Sequence, residues 1–291
     1  MKLSFVGLGV MGYPMAGHLQ EAGHDVTVYN RNAEKARDWV ERYGGQSAPT
    51  PAAAVAGSEI AFLCVGNDDD VRAVVLGDDG IFSGLDQGAL VIDHTTASAG
   101  LARSLAEDAA TRGLGFLDAP VSGGQAGAEN AALTIMVGGN QGDFDRAEAV
   151  LSHYARCVRL LGPAGSGQLA KMANQVCIAG VLQGLSEAML LSEKAGLDTA
   201  AVIEVISKGA AQSWQMENRF ATMLENHYDH GFAVDWMRKD LAIVQAEAAR
   251  LDPELPITEL VDSYYAEVQD MGGGRWDTSS LFARMRSKHN A

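Results

Sequence analysis

The chain of 291 residues is short of cysteine, of positive charge and of long apolar runs, and each shortage removes a class of function. Its three cysteines, Cys64, Cys157 and Cys177, are odd in number and far apart, and all lie among apolar neighbours. That usage predicts buried thiols in a reducing compartment, and with it a cytoplasmic location. Lys and Arg number 22 against 37 Asp and Glu, a formal net charge of −15. With no basic stripe to neutralise phosphates, nucleic acid is not an expected partner. No apolar run is long enough to cross a bilayer, so no membrane partner is expected either. Neither H-E-x-x-H nor a paired-cysteine spacing occurs, and His227 and His230, flanking Asp229, read as a solvated loop, so no metal site is expected. Internal repeats and low-complexity segments are also missing. What remains is ordinary for a globular protein with two domains: 47 % apolar and 20 % charged residues.

The first positive signal is N-terminal. Lys2-Leu-Ser-Phe-Val6 is strand-like, Gly7-Leu8-Gly9-Val10-Met11-Gly12 follows directly, and a helical pattern runs from Val10 through Gly23. A G-x-G-x-x-G between a strand and a helix is the dinucleotide-binding fingerprint: one glycine for the turn, one for approach of the pyrophosphate, one for helix–strand packing. The helix N-terminus then faces the phosphates. A signal peptide over Met1 to Leu19 is opposed by the glycines, by Pro14 and by the lack of a small-residue cleavage site.

The second strand, Asp25-Val-Thr-Val-Tyr-Asn30, ends where an NAD site normally carries an acid for the ribose 2′-OH. Asn30, Arg31 and Asn32 stand there instead. A neutral amide does not repel a 2′-phosphate and a guanidinium can hold one, so the sequence leans to NADP(H), with NAD(H) possible. The alternative is an ordinary turn before a solvated helix.

Further apolar runs at Ile60–Val65, Ala89–Asp93, Gly115–Asp118, Leu133–Val137 and Cys157–Leu161 alternate with helical patterns such as Ala97–Thr111 and Gly142–Tyr154. This predicts an α/β fold whose N-terminal part is a doubly wound, mostly parallel sheet covered on both faces. After Gly162 only helical patterns remain, beginning with a long helix to about Lys194 that is apolar around much of its girth and reads as buried. The domains are thus 1–163, dinucleotide-binding, and 164–291, all-α, joined by that helix.

Three segments carry chemistry. Asp118-Ala-Pro-Val-Ser122-Gly123-Gly124 follows a strand, so its hydroxyl and unobstructed N–H groups suit a carboxylate or carbonyl oxygen, although a Ser-Gly-Gly turn is often only structural. Ser122 is not an expected nucleophile, since no G-x-S-x-G elbow surrounds it. Asp93-His94-Thr95-Thr96 ends another strand and is placed to line the cofactor. Lys171 and Asn174, just inside the long helix after Gly162-Pro-Ala-Gly-Ser-Gly167, are three apart and share a face, so a partly desolvated lysine there can act as a general acid or base. Phe232, Lys239 and Asp240 lie in or near a later helix, with a core ring and a solvated pair as the plain reading. Trp214 and Trp236 read more readily as core than as ligand platforms, although either could wall a pocket.

Gly7-Leu-Gly-Val-Met-Gly-Tyr-Pro-Met-Ala16, the Asp118–Gly124 segment, Gly162 to Asn174 and Lys239-Asp240, in that order, resemble the β-hydroxyacid dehydrogenase family along the whole chain. That family includes 3-hydroxyisobutyrate dehydrogenases and the tartronate, glyoxylate and succinic semialdehyde reductases. The resemblance implies a Rossmann domain, a helical second domain and an active site in the cleft between them. It implies Lys171 as catalytic acid/base, with Ser122, Gly123 and Asn174 contacting a small carboxylate-bearing substrate. Thr96 and the Val65-Gly66-Asn67 loop would touch cofactor, Phe232 and Lys239 would help close the pocket, and Asp240 would orient that lysine. A homodimer or homotetramer is the family expectation. Gln175, where many members have a second asparagine, resembles the tartronate semialdehyde branch, while Asn30-Arg31 resembles the NADPH-using reductases. An imine reductase or a non-catalytic NADPH-binding protein would share the architecture, and Lys171 argues against the first.

Overall fold

The computed structural model describes residues 1–289. Its nine strands are β1 (Lys2–Val6), β2 (Asp25–Tyr29), β3 (Gln46–Ser47), β4 (Ile60–Leu63), β5 (Leu90–Asp93), β6 (Gly115–Asp118), β7 (Val121–Ser122), β8 (Leu133–Gly138) and β9 (Ala155–Gly162). They form one sheet in the order β3-β2-β1-β4-β5-β6-β8-β7, with β9 also paired to β8. Pairing is parallel from β3 through to β6, antiparallel where β8 meets β6 and β7, and parallel again between β8 and β9. The order 3-2-1-4-5-6 is the Rossmann order, and its reversal between β1 and β4 is the switch point at which such sheets bind nucleotides.

Side-chain alternation explains why helices cover both faces. Leu3, Phe5, Ile60, Phe62, Leu90 and Ile92 belong to one apolar cluster, whereas Val6, Ala61, Leu63 and Val91 belong to another. Each central strand therefore buries both of its faces and reads in sequence as an unbroken apolar run. The two-residue strands β3 and β7 are too short to leave such a pattern.

The chain divides into compact units, Met1–Lys171 and Met172–Ala291, so the first turns of the helix Ser166–Lys194 go with the sheet. The second unit contains only helices among its described elements, chiefly Thr199–Ile206, Val234–Leu251, Pro256–Asp270 and Leu281–His289, packed around Leu182, Met237, Leu241 and Tyr265 and around Met189, Ile203 and Phe282.

Four expectations are corrected. Cys157 and Cys177 are exposed and Cys64 is half-buried. Cys157 lies on β9, a margin strand in which half-buried and exposed positions are mixed and none is fully buried, and Cys177 lies on an open stripe of the long helix with Ala173, Val181 and Leu191. The same stripe shows that this helix is not buried all round. By length and composition it would also cross a membrane, with mean hydropathy 1.3, because uncharged polar residues interrupt its apolar runs without lowering the average much. Half of that window is buried inside the protein, the pattern of a core helix. Trp214 and Trp236 are exposed, each carrying a cation over its ring, Arg219 and Lys239 respectively.

Candidate active site

At the switch point the glycines do separate jobs. A Cβ on Gly12 would sit 2.0 Å from the Gly7 carbonyl oxygen, and one on Gly7, whose φ is +97°, would sit 2.3 Å from the Cys64 carbonyl oxygen. Both positions exclude any side chain. Gly9, by contrast, faces open space, with nothing within 4 Å of a Cβ placed there. The loop is thus tight against its own strands and open where a pyrophosphate would approach, which is the fit expected of a dinucleotide site. The helix Gly12–Glu21 that follows has no side-chain cap, whereas the helices starting after Asn32, Thr50, Asn67, Ser98 and Asn140 all do. No side chain caps this first turn, which starts beside exposed Val10 and half-buried Met11, and that fits an anion placed there.

The other predicted cofactor residues surround this loop, with some already engaged. Asn30 accepts from the Leu8 N–H at 2.9 Å and donates to the Asn32 carbonyl at 3.0 Å, so its carboxamide braces the glycine loop. Asn32 and Asn67 cap helices through the N–H groups of Glu34 and Asp70. Arg31 is open to solvent and pairs with Asp70 at 3.6 Å. Val65 donates to the Thr95 hydroxyl at 3.0 Å, and Thr96 is half-buried between buried Thr95 and Ala97, near the Val65-Gly66-Asn67 turn.

His94 and Asp93 do not line a ligand surface; both are buried. Burial holds the His94 pKa down at about 4, so the ring is neutral. Its Nδ1 lies 2.6 Å from the Ala119 carbonyl, which can only accept, so Nδ1 carries the proton and Nε2 accepts from the Tyr154 hydroxyl at 2.8 Å. This imidazole is a buttress under the Ala119–Ser122 segment. Burial pushes the Asp93 carboxyl up to about 7, against the bonds it accepts from Thr95.

Lys171 is 8 % exposed, and its Nζ donates to the Val121 carbonyl at 2.9 Å, next to Ser122. The helix lysine and the Ser122-Gly123-Gly124 turn, expected from the sequence to share a site, therefore lie next to one another. Ser122 ends β7, and Gly123 and Gly124 have φ of +140° and +63°, conformations that turn the chain sharply into the next helix. The first turn of the lysine helix is held by Asp118, which accepts from Gly165 N–H at 2.7 Å and Gln168 N–H at 2.9 Å. Burial raises its pKa, opposed by those backbone bonds.

The helical unit holds a group of its own. Asn174 donates to Gln175 at 2.8 Å, Gln175 donates to Asp240 at 2.6 Å, and Asp240 pairs with Lys239 at 2.9 Å. Asp240 is buried rather than solvated, and half-buried Phe232 packs on the core beside the start of helix Val234–Leu251. The sequence flagged Asp240 and Lys239 but not the amide that joins them to Asn174. Gln168 was missed altogether; its only signal was an amide one turn before the lysine in an apolar helix. Among the described residues no group of three or more His, Cys, Asp or Glu is set to hold a metal.

A Rossmann sheet with a ligand-ready switch point, followed by an all-helical unit and joined by a helix that carries a buried lysine, defines the class of nicotinamide-dependent oxidoreductases. Residues 2–162 match the NAD binding domain of 6-phosphogluconate dehydrogenase, and residues 165–285 match the NAD-binding domain of NADP-dependent 3-hydroxyisobutyrate dehydrogenase. Relatives include an uncharacterized oxidoreductase of Shewanella frigidimarina, 61 % identical over 99 % of both chains. A 3-hydroxyisobutyrate dehydrogenase of Pseudomonas aeruginosa is 34 % identical, covering 91 % of each chain, and the 2-hydroxy-3-oxopropionate reductase of Escherichia coli is 32 % identical, covering 97 % and 96 %. Among solved structures, a Mycobacterium tuberculosis 3-hydroxyisobutyrate dehydrogenase with L-serine superimposes at TM-score 0.87 with 28 % identity, covering 98 % and 99 %. An imine reductase from Pseudomonas sp., 23 % identical over 98 % and 99 % with TM-score 0.60, shares the fold. The chain belongs to the β-hydroxyacid dehydrogenase family and is an NAD(P)-dependent oxidoreductase acting on hydroxyl groups.

Proposed function

We propose that this enzyme prefers NADP(H) and moves a hydride between nicotinamide and a short 3-hydroxyacid or its semialdehyde, with Lys171 as the proton donor and acceptor. The observation that carries the reading is the buried Lys171 Nζ, 2.9 Å from the Val121 carbonyl beside the Ser122 turn. Gly7 to Gly12, the Val65–Asn67 turn and Thr96 would hold the cofactor, which when bound supplies or receives the hydride. Ser122, Gly123 and Gly124 bind the substrate carboxylate. In reduction Lys171 gives its proton to the carbonyl oxygen as negative charge grows there, and in oxidation it takes the hydroxyl proton back; its ammonium stabilises the oxyanion without a metal. Asn174, three residues on along the same helix, aligns that oxygen.

NADP(H) preference is supported by the neutral Asn30 at the usual acid position and by the exposed guanidinium of Arg31 next to it. A homodimer or homotetramer is supported by exposed apolar side chains on the helical unit, Leu191 and Val205 at 72 % and 73 % exposure. A monomer by sedimentation equilibrium removes that part.

The test is a 340 nm screen with NADPH and NADH separately, against short semialdehydes and glyoxylate, and in reverse with 3-hydroxyisobutyrate, glycerate, serine and 4-hydroxybutyrate. Lys171→Ala is expected to lose roughly 10²–10⁴-fold in kcat while keeping cofactor affinity. Retained turnover removes the lysine from the mechanism. Activity with imines and none with the acid panel transfers the chain to the imine-reducing class. Cofactor binding with no turnover of either leaves a non-catalytic nucleotide-binding protein.

A further inference from the structure

We propose that Gln168 is a positioning residue for this reaction, a carboxamide clamp that fixes the catalytic helix against the peptide chain at Thr96. The proposal rests on the reading of Lys171 as proton donor and of Thr96 as a cofactor contact.

Gln168 is 1 % exposed, and its carboxamide is bonded at both its nitrogen and its oxygen. Its Nε2 donates to the Thr95 carbonyl at 2.7 Å, its Oε1 accepts from the Ala97 N–H at 3.1 Å, and its own N–H donates to Asp118 at 2.9 Å. The Thr95 carbonyl and the Ala97 amide stand on either side of Thr96. One carboxamide satisfying both imitates the pairing of a neighbouring strand and leaves residue 96 with a fixed backbone plane. A second bond continues the chain of contacts: the Thr95 hydroxyl accepts from Val65 N–H at 3.0 Å, at the head of the Val65–Asn67 turn.

On its other side Gln168 lies three residues before Lys171 in the same helix. Lys171 donates to Val121, and Asp118, at the end of β6, holds the Gly165 and Gln168 N–H groups. Every connection from the 95–97 segment to the lysine helix that is described above runs through this one side chain. A buried amide is costly unless both ends are bonded, so its presence in an apolar helix calls for a function that a leucine would not serve. That function is geometric. Proton delivery from Lys171 and hydride delivery at the nicotinamide must coincide on one substrate, and small misplacements cost large factors in rate.

The experiment uses the full-length enzyme and its best substrate from the screen. Gln168→Met keeps the volume and removes both bonds. It is expected to lower kcat by roughly 10- to 100-fold, to leave the Kd of NADPH, read by fluorescence titration, within about threefold, and to raise the primary isotope effect measured with 4-deuterated nicotinamide. Gln168→Glu adds a readout that a merely structural role would not move. A protonated glutamic acid can donate to Thr95 and accept from Ala97 as the amide does, whereas the carboxylate repels the Thr95 carbonyl. The titratable and charged groups around it, Asp118 at its own N–H, Asp93 behind Thr95, Lys171 one turn on and Arg103 against Gly165, are present in both enzymes, so the ratio to wild type reports the added carboxyl. The activity of Gln168→Glu relative to wild type therefore rises as pH falls.

A Gln168→Met enzyme within threefold of wild-type kcat, with an unchanged isotope effect, overturns the proposal. So does a pH-independent ratio for Gln168→Glu, which also carries the test if the Met variant does not fold. If Lys171→Ala keeps turnover, the underlying mechanism fails instead, and the two failures are told apart by which variant is silent.

Discussion

The two units hold most of their carboxylates by different means. The sheet unit uses backbone: Asp118 accepts from Gly165 and Gln168, Asp93 from Thr95 and Asp68 from Ser98, all at main-chain N–H groups. The helical unit pairs side chain with side chain: Asp240 with Lys239, Asp277 with Arg219, Asp262 with Arg238, Glu267 with Arg284 and Glu193 with Arg286. The electrostatic consequence is opposite in sign. Burial raises Asp93 and Asp118, whereas hydrogen bonds from Arg284 and Lys288 hold Glu267 down at about 2. A site set by main chain depends on turns and close approaches, and a site set by paired side chains depends on each partner keeping its charge.

The largest expected effect breaks the sheet unit at a glycine. Gly12→Ala forces a methyl into the Gly7 carbonyl, and overpacking of that kind costs about 3 kcal/mol. The melting temperature should fall by about 10 °C for a domain of this size, and cofactor binding should fall with it. Gly9→Ala has open space and should melt like wild type while losing cofactor affinity. Equal melting losses in the two variants, by calorimetry, would show that the loop is held by something other than these contacts.

That contrast also explains what could be read from sequence. Gly7, Gly12, Ser122-Gly123-Gly124 and the Lys171 segment were legible because main-chain geometry demands particular residues at fixed short spacing. The strands were legible because burial on both faces leaves unbroken apolar runs. The link from Gln175 to Asp240 was not, because its partners are 65 residues apart and any amide and acid could have served. Gln168 was hidden for the same reason, its bonds reaching 71 and 73 residues back to main-chain groups that leave no mark on sequence. His94 was misread because a polar residue at a strand end can point into the core as easily as toward a ligand, and only the positions of Ala119 and Tyr154 decide. The exposed cysteines were misread because apolar neighbours along a margin strand or a helix say nothing about which face is covered.

The next effect tests the helical unit by its charges. Asp240→Asn keeps the shape and removes the counter-charge of Lys239, leaving Gln175 facing an amide. We expect kcat/KM to fall roughly tenfold, equivalent to about 1.4 kcal/mol, with Gln175→Leu producing a similar fall. An Asp240→Asn enzyme of normal activity would mean that Asn174 and Lys239 are placed independently of the relay.

The opposite pKa directions give opposite pH limbs. Asp93 is raised from 3.8 to about 7, so the folded sheet unit binds a proton that the unfolded chain releases, and its contribution to stability falls as pH rises between those values. His94 is lowered from 6.5 to about 4, so its burial costs stability as pH falls through that window, and the two largely offset one another. Glu267 has a depressed pKa, so its contribution is present above 4.5 and is lost as pH falls toward about 2. Asp93→Asn keeps the acceptor for Thr95 and removes the ionisation. Its stability relative to wild type should grow from pH 5 to pH 8 by at least about 1 kcal/mol, read by denaturant unfolding at each pH. A constant difference would place the Asp93 proton elsewhere.

The smallest expected effect concerns the one exposed ion pair that sits at the cofactor's expected ribose end. Arg31 pairs with Asp70 at 3.6 Å, in the first turn of a helix that begins Asp68-Asp69-Asp70. Exposed pairs contribute little to stability, about 0–1 kcal/mol, so Asp70→Asn should melt like wild type. Its effect is on competition. A 2′-phosphate must draw the guanidinium from Asp70 and approach an acidic helix start, whereas a 2′-hydroxyl does neither. Removing one negative charge should therefore tighten NADPH roughly three- to tenfold at low salt and leave NADH within about twofold, with the gain shrinking as salt screens it. Measured by fluorescence titration of both cofactors, an unchanged NADPH to NADH ratio would mean that Arg31 does not meet the 2′-phosphate, and the NADP(H) preference would then have to come from Asn30 alone. A ratio that rises with Asp70→Asn and collapses with Arg31→Ala would show that this chain tunes its cofactor choice by side-chain pairing even inside the unit that otherwise works through backbone.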